Sequence, residues 1–130
     1  MSTPLSAEIV WLVASASELN KRKVRLFIEA VLNEGRLELI DELVAADYLG
    51  RVPRMEGEIR GPEGVRQLVS GGRRDHPDLY IKIEDQIAED DLVATRWRAT
   101  TAGTGSVAGI SIVRLLAGKQ VDSHTEYGEG

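Results

Sequence analysis

Leu79-Tyr80-Ile81-Lys82-Ile83-Glu84-Asp85-Gln86-Ile87, followed after Glu89-Asp90-Asp91 by Leu92-Val93-Ala94-Thr95-Arg96-Trp97-Arg98-Ala99-Thr100, is the stretch that decides the fold class. Its apolar residues recur at every second position: Leu79, Ile81 and Ile83 share one face, with Tyr80, Lys82 and Glu84 on the other. Beyond the acidic break, Val93, Thr95, Trp97 and Ala99 alternate with Ala94, Arg96 and Arg98. A period of two is the signature of a strand with one buried and one wetter face. So short a break makes the two strands antiparallel neighbours. The chain then runs through Ala102-Gly103-Thr104-Gly105-Ser106-Val107-Ala108-Gly109 into Gly109-Ile110-Ser111-Ile112-Val113-Arg114-Leu115-Leu116, turns at Ala117-Gly118, and returns as Lys119 to Tyr127. This predicts an antiparallel meander with turns at 88–91, 102–109 and 117–118. Its apolar face must be covered, and the first half of the chain is the only material available.

That first half reads as helices. From Glu18 to Asn33, the residues Val24, Phe27, Ile28, Val31 and Leu32 form one apolar face, while Lys21, Arg22, Arg25 and Glu29 lie away from it. Gly35 is placed for a left-handed cap. A shorter helix begins at Leu37 with Ile40, Leu43 and Val44 and stops near Ala46-Asp47. Tyr48 to Pro53 reads as a strand stub or loop leading inward, and Met55 to Arg60 as an exposed charged loop. A third helix starts at Gly61-Pro62-Glu63-Gly64, with Pro62 where a missing N–H does no harm, and ends at Gly71-Gly72. Residues 5–16 allow a short extra helix or an edge strand, and Trp11 within them a core cap or an interface contact. Helices followed by an antiparallel sheet make an α+β plan.

The totals bound the function. A chain of 130 residues suits one domain, with residues 1–18 as an extra segment before a core of 20–127. It has no cysteine, which suits the reducing cytoplasm and leaves no thiolate for a metal. With two histidines and no ligand spacing, neither a metal nor another cofactor is expected. The net charge of −5 argues against a general nucleic-acid surface. The longest apolar run, Ile9 to Ala14, is far below the roughly 20 residues that span a bilayer, so no membrane partner is expected.

Taken in order, Val31-Leu32-Asn33-Glu34-Gly35, Leu39-Ile40-Asp41-Glu42-Leu43-Val44-Ala45-Ala46-Asp47-Tyr48, the Gly61-Pro62-Glu63-Gly64-Val65 helix, the His76-Pro77-Asp78-Leu79 approach, the Ala88 to Thr100 strand and the Val113 to His124 hairpin resemble the SnoaL-like polyketide cyclases of the nuclear-transport-factor-like superfamily. The resemblance covers Asn20 to about Tyr127. It implies a cone-shaped curved antiparallel sheet packed against three or four N-terminal helices, an apolar cavity, a small hydrophobic or aromatic ligand and pairing as a homodimer through the sheet. It also implies a catalytic aspartate after the last strand, where this chain has Gly128, and a histidine in the early loop, where it has Arg51. The tryptophan common in the last strand is replaced by His124, and Asp122 matches a frequent acidic position.

The residues themselves suggest a second arrangement. At a strand period, Gln120, Asp122, His124 and Glu126 share a face, so Asp122 is placed to orient His124 as a base near neutral pH. Arg51, aimed into the cone mouth, is suited to a carboxylate or enolate oxygen. Trp97 is expected as a cavity wall with a hydrogen-bonding N–H, and Tyr48 and Gln120 as ligand contacts. A solvated edge or a dimer face explains the last strand equally well. Arg96, Arg98 and Arg114 form a stripe on the other face that needs acidic partners such as Glu84 or Glu126. Three function classes stand: a cofactor-independent enzyme of cyclisation, isomerisation or hydration acting on a hydrophobic substrate, a noncatalytic hydrophobic-ligand-binding or accessory protein, and a purely structural or interaction role.

Overall fold

The structure is a computed structural model that describes residues 16–103 and 105–129. The expectations for residues 5–15, including Trp11, lie outside the described residues. Helix α1 covers residues 16–33 and changes winding on the way, from α-helical to a π-helical segment over Phe27–Asn33. Val24, Ile28 and Val31 are buried, as the apolar stripe predicts. The wider π winding sets residues five apart on one side, and Phe27 and Leu32 both reach the same cavity. Gly35 ends the helix with φ of 74°, and its N–H bonds the Val31 carbonyl at 3.1 Å. A short 3₁₀ turn, Leu37–Leu39, leads into α2, Ile40–Leu43.

The second helix is shorter than its sequence pattern suggests. Val44 is already extended, and β1 runs Val44–Arg51. What reads as a strand stub is therefore a full strand, because it finds a partner in β6 far along the chain. Likewise the expected loop over Met55 to Arg60 contains β2, Ile59–Arg60, with Ile59 buried. Helix α3 spans Gly61–Asp75 and passes through Gly71-Gly72 without stopping. Those glycines lower helix propensity but do not forbid it. The helix stops at His76 instead, the residue whose helical conformation Pro77 disfavours.

Four strands complete the sheet: β3 Tyr80–Glu89, β4 Leu92–Thr100, β5 Ser106–Leu116 and β6 Lys119–Glu129. The curved, open sheet has the order β2-β1-β6-β5-β4-β3. All its pairs are antiparallel except β1 with β6. Both later hairpins have two-residue turns. Asp90 in one, and Ala117 and Gly118 in the other, take positive φ, the handedness that matches strand twist. β5 starts at Ser106, so the latter part of the expected 102–109 link is strand.

Register is interrupted in the β1–β6, β3–β4 and β5–β6 pairings, and the last two reverse the phase of the sheet. Ile83 pairs with Trp97 and Asp85 with Arg96, which makes Glu84 an extra residue in β3. Ile81 and Ile83 face the core before this bulge and Ala88 after it, leaving Ile87 exposed. In β6, Leu115 pairs with Gln120 and Arg114 with Asp122, so Val121 is the extra residue. The core forms two clusters. One joins Val31, Ile40, Leu43, Val44, Tyr48, Ile59, Val65 and Val69. The other joins Val24, Ile28, Val93, Val113 and Leu115. Each such side chain contributes about 1.5–3 kcal/mol when fully buried. Between the clusters the packing opens.

Two contacts fix α1 across this opening. The Asn33 side chain donates to the Ile81 carbonyl and accepts from the Ile81 N–H, both at 2.8 Å. Arg73 donates to the Asn33 carbonyl at 2.6 Å and to that of Leu32 at 3.2 Å.

Candidate functional site

The opening is a cavity of about 240 Å³. Phe27, Ile28 and Leu32 of α1, Val65 and Val69 of α3, and Ile81 and Val113 of the sheet make its apolar wall. None of its described lining residues carries a charge. The polar groups come from Tyr48, Trp97, Ser111, Gln120, Ser123, Thr125 and Tyr127. The aromatic pair Trp97 and Tyr127 sits with ring centroids 6.4 Å apart and planes tilted by 50°.

The polar groups are held by one another. Tyr48 Oη lies 2.6 Å from Ser123 Oγ. Trp97 Nε1 donates to Ser111 Oγ at 3.0 Å, and Ser111 Oγ lies 2.9 Å from Thr125 Oγ1. Gln120 is buried, and its Nε2 has no hydrogen-bond partner among the described residues. A buried amide donor without a partner costs about 1–3 kcal/mol. Burial pushes the Tyr48 hydroxyl above its ordinary value of 10.0, the Ser123 hydrogen bond opposing and the Asp122 charge adding. At neutral pH Tyr48 is therefore a proton-bearing donor.

Backbone glycine positions both aromatic donors. Trp97 lies across Gly109 on the neighbouring strand, and Tyr48 folds over Gly50 two residues along its own; a Cβ on either glycine would overlap the ring. Glycine inside a strand marks such a close approach.

Of the residues expected at a site, Tyr48, Trp97 and Gln120 line the cavity together. Asp122, His124 and Arg51 do not. The bulge at Val121 separates Gln120 from the alternation that follows, so Ser123, Thr125 and Tyr127 turn inward and Asp122 and His124 turn outward. This corrects the expectation that Gln120, Asp122 and His124 share a face. His124 bonds Glu126 at 2.8 Å, with its side chain 57% exposed, and Asp122 lies beside Arg114. No Asp122–His124 pair forms. Arg51 closes β1 in register with His124 and bonds Glu58 at 2.5 Å, away from the cavity that Val52 enters. The arginine stripe does find acidic partners: Arg98 meets Glu84, Arg96 meets Asp85, and Arg114 meets Asp91.

Sequence reading missed Ser111, Ser123 and Thr125. Ser111 stands in the inward register of Gly109, Val113 and Leu115, opposite the strand that carries Trp97. A hydroxyl among inward apolar residues was the available signal. Among the described residues no group of His, Asp and Glu is placed to hold a metal ion.

This architecture matches known structures. A loop-truncation variant of IdmH shares 26% identity with a TM-score of 0.74, covering 83% of this chain and 91% of that one. Wild-type IdmH, a candidate polyketide cyclase from Streptomyces antibioticus, matches at 23% identity with a TM-score of 0.72 and the same coverage. A protein from Kribbella flavida named for ketosteroid isomerase matches at 17% identity and a TM-score of 0.74, covering 88% of this chain and 81% of that one. No curated protein matches the chain by sequence. The model of the SnoaL-like polyketide cyclases matches residues 22–125. That span takes in α1 from Arg22 onward, the sheet down to Thr125 and every polar side chain of the cavity except Tyr127, and by it the chain belongs to the SnoaL-like polyketide cyclase family.

Proposed function

We propose that the chain encloses a small, neutral, hydrophobic molecule bearing a carbonyl group and promotes its cyclisation or isomerisation without a cofactor. The observation that carries this reading is an uncharged cavity whose polar atoms are hydroxyls, an indole N–H and an unpartnered amide donor. Holding a flexible chain folded supplies much of the barrier reduction in a ring closure. A hydrogen bond from Tyr48 to the carbonyl oxygen polarises it against apolar walls. Noncatalytic binding is the second reading. It is favoured by the lack of a carboxylate or imidazole among the described lining residues, which leaves no side-chain base of ordinary strength.

A matched pair of probes tests the cavity. 2-Acetylnaphthalene and 2-naphthoate have nearly the same shape but differ in charge. The ketone is expected to bind at least tenfold more tightly by fluorescence titration, because burying an unpaired carboxylate is costly. Equal affinity for the two would remove the reading of a neutral pocket. Incubation with an unsaturated, linear polyketide-like ketone separates the two functions: an isomer of the same mass with altered retention marks catalysis, and unchanged ketone marks binding alone.

We further propose that two copies associate through the outer face of the sheet, in a reducing cytoplasm. Ile110 and Ile112 are 49% and 47% exposed on that face. They lie between the Arg96 and Arg98 side of β4 and the Asp122 and Glu126 side of β6. A twofold arrangement lets the cationic side of one copy meet the acidic side of the other. Ile112→Glu is expected to convert a dimer to a monomer in sedimentation equilibrium while ketone binding persists. A wild-type monomer at high concentration would refute the proposal.

A further inference from the structure

The cavity's hydrogen bonds leave protons unspent at two fixed places. An indole N–H only donates, so Trp97 fixes the direction of its contact with Ser111. Across the Ser111–Thr125 contact one hydroxyl donates to the other. Whichever does so, the other retains a proton that neither contact uses. Both residues line the cavity. The Tyr48–Ser123 contact behaves in the same way, since two hydroxyls share one bond. Ser123 and Thr125 are neighbours on the inward side of β6, which sets these two places about 7 Å apart. Apart from the Gln120 amide and the Tyr127 hydroxyl the remaining lining is apolar, and no charge competes.

Building on the pocket reading above, we propose that the Tyr48–Ser123 and Trp97–Ser111–Thr125 groups are two separate oxygen-recognition stations, selecting a neutral ligand that carries two acceptor oxygens about 7 Å apart on an apolar body. One station orients an end of the molecule and the second sets its register along β6. A hydrocarbon of the same size gains from neither. A ligand with one oxygen can satisfy only one station at a time.

Three probes test this: naphthalene, 2-methoxynaphthalene and 2,7-dimethoxynaphthalene, the last with oxygens at a comparable spacing. Their ethers accept but cannot donate. Calorimetric or fluorescence titration is expected to give the dimethoxy compound at least a fivefold advantage over the monomethoxy one. Tyr48→Phe combined with Ser123→Ala removes both hydroxyls of one station; it should abolish that advantage and leave naphthalene affinity unchanged, which also reports an intact pocket. Tyr48→Phe alone keeps the Ser123 hydroxyl and should retain part of it. Equal affinities of the two ethers for the wild-type chain would overturn the proposal without any variant, and so would an advantage that survives in the double variant. Failure of naphthalene itself to bind would remove the pocket reading and this inference with it; naphthalene binding without discrimination removes the inference alone.

Discussion

Gly109→Val is expected to destabilise the chain by about 1–3 kcal/mol, the usual cost of forcing extra atoms into packed space. In a domain of this size that corresponds to roughly 4–12 °C in Tm. The new side chain would occupy the volume of the Trp97 ring, whose Cζ2 and Cη2 atoms lie over the glycine. Trp97 would have to swing off β5, breaking its hydrogen bond to Ser111 and its contact with Tyr127. Loss of probe binding should therefore accompany the loss of stability. Thermal unfolding of a double-mutant cycle checks the cause: in a Trp97→Leu background the valine should cost far less. An equal cost in both backgrounds would place the strain elsewhere.

Tyr48→Phe carries the largest expected functional effect. The substitution keeps the ring over Gly50 and removes only the hydroxyl that faces Ser123. If the donor polarises a reacting carbonyl, turnover falls about 100- to 1,000-fold, whereas ketone affinity falls only about fivefold. His124→Gln serves as the contrast and should leave both unchanged, since His124 points away from the cavity. A variant at Tyr48 with unaltered turnover would move the chemistry to another donor. The pH dependence follows from the raised Tyr48 value. Folding favours the protonated phenol, so its contribution is complete below pH 10.0, the ordinary value, and is lost as pH rises through the higher folded value. Alkaline unfolding should thus be steeper in the wild type than in Tyr48→Phe.

Much of the fold was legible because it rests on local periodicity. The helical face of Val24, Ile28 and Val31 and the alternation of Val93, Thr95 and Trp97 each depend on the residues of one element, and the structure follows them. The site was less legible because it depends on where the alternation breaks. Val121 is an ordinary strand residue by composition, and only its pairing with β5 makes it a bulge. That single inserted residue moved Asp122 and His124 to the outer surface and turned Ser123 and Thr125 into the cavity. Gly109 misled in a similar way. In a glycine-rich stretch it reads as turn material, yet its lack of a side chain is what admits Trp97. Strand β1 was obscured for a third reason: its parallel partner lies near the end of the chain, and no local signal encodes that pairing.

The contact between Asn33 and Ile81 has a consequence beyond anchoring α1. β3 is an outer strand of the sheet and is ten residues long, with backbone groups available to another extended chain. At Ile81 the Asn33 amide already fills both of those groups, as a neighbouring strand would. Three residues on, the bulge at Glu84 disrupts the regular spacing that an incoming strand must match. On this side of the open sheet, one side chain and one inserted residue thus leave an incoming strand a poorly matched edge.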